Sequence, residues 1–96
     1  MPSGIDIDEN DREYVVTIEL RGAREENLIV KGRGQSINVV AVRDMKKLKL
    51  DKDGDPEFDE NLMYDKTAVL PGKAEMSKLT WEFFGGLIAV TVPKAK

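Results

Sequence analysis

Apolar and polar side chains alternate along most of this chain with a period of two. Tyr14, Val16, Ile18 and Leu20 interleave with Val15, Thr17 and Glu19, and β-branched and aromatic types on that repeat suit a half-buried strand and no helix. The pattern predicts a strand over 13–20. Upstream, Ile5 and Ile7 alternate with Asp6 and Asp8 before the turn-forming run Glu9-Asn10-Asp11-Arg12, which predicts a short first strand and a tight connection. Downstream, Leu28-Ile29-Val30-Lys31 predicts another short strand, with a turn at the glycine-punctuated Gly32-Arg33-Gly34. In the next strand, 36–43, Ile37, Val39 and Ala41 form one face, while Val40 and Val42 make the other apolar as well. Both faces of that strand are expected to be covered.

From Asp44 to Met63 the alternation stops. Lys46, Lys47, Lys49 and Lys52 come first, then Asp51, Asp53, Asp55, Glu57, Asp59 and Glu60. Loops beyond about 12 to 15 residues are uncommon in compact domains. This stretch is therefore expected to be functional, disordered, or the carrier of a small strand at 46–50. Regular alternation resumes at Tyr64 and runs to Leu70, where Pro71-Gly72 ends it, since proline cannot continue a ladder. Two β-rich runs, 79–84 and 87–92, flank Gly85-Gly86, whose free φ suits a primed hairpin turn. Alternation places Leu79, Trp81 and Phe83 on one face and Phe84 on the other. The strand count and turn spacing predict an all-β protein: an antiparallel immunoglobulin-like β-sandwich of about seven to eight strands with one long charged loop, 44–63.

Composition narrows the function. The 96 residues fit one domain, 1–96. Apolar runs are far shorter than the ~20 residues a membrane helix needs, and the first residues have neither a basic start nor an apolar stretch, so a cytoplasmic protein without membrane association is expected. The chain has no Cys and no His, which removes disulfides, thiolate and imidazole nucleophiles, and zinc sites built from those ligands. A net charge of −3 argues against a phosphate-backbone footprint, so nucleic acid is not an expected partner.

The remaining chemical candidates weaken on inspection. Asp51, Asp53 and Asp55 are spaced like the first ligands of an EF-hand loop, but Pro56 stands at the turn glycine and Leu62 at the closing glutamate. A solvated charged loop is the simpler reading, and no metal is expected. Asp59 and Glu60 have no group to orient them for acid–base work, and Gly32-Arg33-Gly34 leads into a strand rather than a helix N-terminus. Neither catalysis nor a cofactor is expected. Two apolar sets stay open: Ile5 and Ile7 form either a plain edge strand or one that pairs with another subunit. Leu79, Trp81 and Phe83 are either core or the floor of a partly exposed groove.

The order of segments resembles the α-crystallin domain of the small heat-shock proteins. Glu19-Leu20-Arg21-Gly22 through Leu28-Ile29-Val30 is similar to the family's Leu-Pro-Gly segment, charged turn and following strand, and 35–43 resembles its next strand. Leu70-Pro71 and then Gly86-Leu87-Ile88-Ala89-Val90-Thr91-Val92-Pro93 resemble the family's Leu-Pro and terminal Gly-Val-Leu-x-Val-x-Val-Pro run. Arg21 stands where the family often has proline, Lys66 where it commonly has arginine beside the dimer interface, and Trp81 where a small residue is usual. The chain reads as a bare or truncated domain, without the family's terminal arms.

The resemblance implies an ATP-independent holdase chaperone that binds partly unfolded client proteins and self-associates as a homodimer or larger oligomer. It implies a dimer interface at Ile5, Ile7, Lys46, Leu48, Leu50 and Lys66, with 46–50 as a strand crossing to the partner's first strand. It also implies a peptide or client groove at Leu28, Val30, Leu79, Trp81 and Phe83. The alternative is a non-chaperone interaction module, or a co-chaperone module, on the same sandwich.

Overall fold

A computed structural model describes residues 4–96. Seven strands form in the order β1 (Ile5–Glu9), β2 (Glu13–Glu19), β3 (Leu28–Arg33), β4 (Ser36–Val42), β5 (Leu62–Val69), β6 (Thr80–Phe84) and β7 (Leu87–Pro93). They make two antiparallel sheets, β1-β2-β7-β6 and β3-β4-β5, so the architecture is the expected β-sandwich. Among the described residues, helical structure is confined to the 3-10 turns Glu25–Asn27, Met45–Lys47 and Met76–Lys78. No helix among them is long and apolar enough to cross a membrane.

The period of two becomes the core directly. Tyr14, Val16 and Ile18 on β2 lie opposite Val92, Val90 and Ile88 on β7, and these meet Ile37, Val39, Ala41, Ala68 and Leu70 from the other sheet in one buried cluster. Turn chemistry sets the registers. Gly85 and Gly86 both have positive φ (59° and 82°), which is the type I′ requirement and closes the β6–β7 hairpin with Phe84 opposite Leu87.

Three local readings change. The β3–β4 turn sits at Gly34-Gln35, one step later than expected, because Arg33 still pairs with Ser36 and only Gly34 of the two turn residues has positive φ, the II′ pattern. β5 starts two residues earlier than its alternation showed, since Val42 pairs with Leu62 across a bulge at Met63. Residues 46–50 do not form a strand. Asp44 accepts a hydrogen bond from the Lys46 amide (3.0 Å) and so caps a 3-10 turn, a local bond that competes with ladder formation. Leu50 makes only an isolated bridge to Pro56, and proline has no N–H to extend it.

The long loop instead folds over its own sheet. Val40 and Val42 point away from the core yet are only 1% and 2% exposed, as the two-sided apolar pattern of β4 demanded. Lys31 Nζ donates to Gly54 O at 3.0 Å. Asp51, Asp55 and Pro56 face Ser36, Asn38 and Thr67 across a polar crevice on the same side. The loop's root is fastened by Asn61, the one buried polar residue among those described. Asn61 Oδ1 accepts from the Asp44 amide (2.9 Å) and its Nδ2 donates to Asp44 O (3.0 Å), while the Arg43 amide donates to Asn61 O (2.8 Å).

Candidate functional site

Strand order places two sheet edges on each flank of the sandwich. β3 and β6 are edges, and the Met76–Lys78 turn that leads into β6 packs its first side chain on Gly32 of β3. One flank therefore carries β3 and β6 together. The groove residues expected from sequence gather there: Leu28 is buried, and Val30, Leu79, Trp81 and Phe83 are half-buried against the core. Trp81 and Phe83 lie opposite Val90 and Ile88, so their shared face is the inner one. Phe84 points the other way and is 88% exposed.

Glu25, from the turn before β3, joins Trp81, Glu82, Phe83 and Phe84 around a shallow depression along the edge of β6. The surface is aromatic, with two carboxylates at its rim. Met76, which the sequence pattern did not single out, packs on this flank beside Trp81 and Phe83. Its signal was Gly32, an unusual residue inside a strand that makes room for a close neighbour.

The opposite flank carries β1 and β5, the other two edges. Ile5 and Ile7 are half-buried on the inner face of β1. Lys66 on β5 points inward at the rim and donates from Nζ to Glu19 O on β2 (2.8 Å), with its ammonium 5.1 Å from the Tyr64 ring centre. Tyr64 Oη donates to Arg21 O at 2.7 Å, a second tie between the sheets. A lysine does both by burying its stem and keeping its head at the polar rim.

Of the other expected interface residues, Lys46 is exposed within its 3-10 turn, Leu48 is half-buried, and Leu50 is 52% exposed. All three lie in the loop over the outer face of the β3-β4-β5 sheet, not beside β1 of the same chain. Phe58, 96% exposed in that loop, was not among the expected residues.

Among the described residues no cluster of three or more acidic, Cys or His groups could hold a metal ion, and no buried side-chain polar atom lacks a partner. The pKa of Lys94 is displaced. Its hydrogen bond to Glu9 Oε2 (2.6 Å) raises it above the ordinary lysine value, against the opposing effect of desolvation. That pair ties the end of β7 to the end of β1 and is structural.

The family model for the Hsp20/alpha crystallin family matches residues 6–96. The chain belongs to this family, that of the small heat-shock chaperones. Heat shock protein 16.0 from Schizosaccharomyces pombe shares the fold with a TM-score of 0.70 at 22% identity, over 96% of this chain and 86% of that one. HSP18.5 from E. histolytica does so with a TM-score of 0.69 at 16% identity, over 96% and 86% of the two chains. The nuclear movement protein from E. cuniculi GB-M1 is also similar, with a TM-score of 0.57 at 16% identity over 97% and 88%. Comparison with curated proteins gives no match.

Proposed function

We propose that this α-crystallin domain is an ATP-independent holdase that binds partly unfolded proteins and self-associates, without catalysing a reaction. The observation that carries the reading is the β3–β6 flank, where two strand edges with one neighbour each border an apolar surface at Leu28, Val30, Leu79, Trp81 and Phe83. An extended client segment supplies the missing strand partner for such an edge, and alternate apolar side chains of the client rest on the aromatic rim. Non-directional apolar contact together with main-chain pairing recognises the unfolded state rather than a sequence, as a holdase requires.

Self-association uses the other flank in this reading. Ile5 and Ile7 on the free edge of β1, with Lys66 beside them, meet Lys46, Leu48 and Leu50 of a second copy's loop. The site of action is the cytoplasm. The decisive experiment heats a model client with and without the protein and follows turbidity. Suppression near equal mass is the expected outcome, and undiminished aggregation would remove the holdase reading.

A second reading has its own support. The loop lies on its own sheet rather than extending away, and the nuclear movement protein shares the fold. A non-chaperone interaction module would give no suppression of turbidity together with tight, saturable binding to one defined partner.

A further inference from the structure

The loop between β4 and β5 is fastened unevenly. At its root, Asn61 and Asp44 exchange two hydrogen bonds, the Arg43 amide adds a third, and Asp59 Oδ1 accepts from the Asn61 amide (2.9 Å). At its far end the tie to the sheet, among the described residues, is the Lys31–Gly54 bond. Residues 43–60 contain no buried position, and the loop leaves Leu50 and Phe58 in water. Yet what this lightly held segment covers is apolar: Val40 and Val42, beside the half-buried Ile29 that pairs with Val40.

We infer that residues 44–61 are a strap, rooted at Asn61, which opens while the sandwich stays folded and uncovers a hidden apolar stripe at Ile29, Val40 and Val42. Segments with few buried contacts and solvent-exposed hydrogen bonds open at a free energy well below that of global unfolding. The two inner strand neighbours of the stripe, Val39 and Ala41, belong to the central cluster and are released only when the whole fold is. The strap's far end carries Asp51 and Asp55, which share a crevice with Lys31 and Arg33 and with the single sheet carboxylate Asp65. Attraction between such exposed charges is screened by salt, so added salt loosens the strap. A loop lying on its own sheet cannot at the same moment reach a second copy, so opening also frees it for exchange. Opening itself is a property of one chain and does not rest on the holdase or dimer readings.

The chain has no cysteine, so a single thiol reports on its own position. Val40→Cys and Val39→Cys place that thiol on opposite faces of one strand. In native buffer, at a concentration where the chain is monomeric, a maleimide should label the first at least about tenfold faster than the second. Salt, or the further change Lys31→Met, should raise the first rate several-fold and leave the second unchanged. Equal rates at the two positions, or a Val40→Cys rate insensitive to both salt and Lys31→Met, would overturn the strap. If Val40→Cys does not fold, as judged by circular dichroism, Val42→Cys against Ala41→Cys repeats the comparison with the same two outcomes.

Discussion

The sulfur of Met76 occupies the space that a side chain on Gly32 would need: a Cβ there would lie 2.6 Å from Sδ and 3.1 Å from the Met76 Cβ. A glycine on an edge strand thereby holds the turn before β6 against β3 and closes one end of the β3–β6 flank. The bare backbone at 32 is a packing requirement, since β3 is extended there and no left-handed conformation is involved.

Gly32→Ala should therefore destabilise the domain by about 1–3 kcal/mol through overpacking. The Met76 Cβ cannot swing away as a side-chain tip could, so the turn itself must shift. Urea denaturation would show the loss. Adding Met76→Ala should recover part of it, a non-additivity expected of residues in direct contact. Strict additivity would mean that the two do not compete for space.

Removing the root of the long loop should act differently. Asn61→Ala leaves the Asp44 amide without its partner and the Asp44 carbonyl with the Lys47 amide alone, a cost of about 1–3 kcal/mol for part-buried groups. Trypsin should then cut at Lys46, Lys47, Lys49 or Lys52 much faster than in the parent chain, while Lys66 on β5 stays protected. Unchanged cleavage would show that Asn61 does not anchor the loop.

The Lys94–Glu9 pair gives a pH dependence of definite sign. The folded-state pKa of Lys94 lies above the ordinary 10.5, so the folded chain holds this proton more tightly than the unfolded one. The contribution is fully present below about pH 10 and fades as pH rises through the folded value. The difference in melting temperature between the parent and Lys94→Met should be measurable at pH 8 and shrink above pH 11. A difference that grows with alkalinity would refute the assignment.

Association through β1 predicts that light scattering at micromolar concentration finds a dimer, and that Ile7→Lys converts it to monomer with the circular dichroism of a sandwich retained. A charged side chain at that edge is a standard block to edge pairing. A parent chain that scatters as monomer alone would remove the dimer reading and leave the folded domain intact.

Client or peptide binding at the opposite flank predicts a change in Trp81 emission on titrating an apolar Ile-x-Ile peptide, because the half-buried indole would lose water contact. Trp81→Ala should abolish the calorimetric signal as well. Heat of binding that survives this change would place the site elsewhere.

The alternation of Tyr14, Val16 and Ile18, the Gly85-Gly86 turn, and the Leu-Pro and Val-Thr-Val-Pro segments were enough to determine strands, class and family from the amino-acid order. These are local signals: side chains in a strand face alternate sides whatever they pack against, and a positive φ at two successive positions selects glycine wherever the turn lies. The doubly apolar pattern of β4 even required that something cover Val40 and Val42.

Only the tertiary structure decided what the cover is. Whether 44–61 reaches outward or lies back depends on Asn61 meeting Asp44 and on Lys31 meeting Gly54, pairs separated by many residues and unmarked by any periodicity. The same holds for Met76 on Gly32 and for Lys66 bridging to Glu19: each is a contact between sheets. Its partners become neighbours only after two independent ladders have stacked.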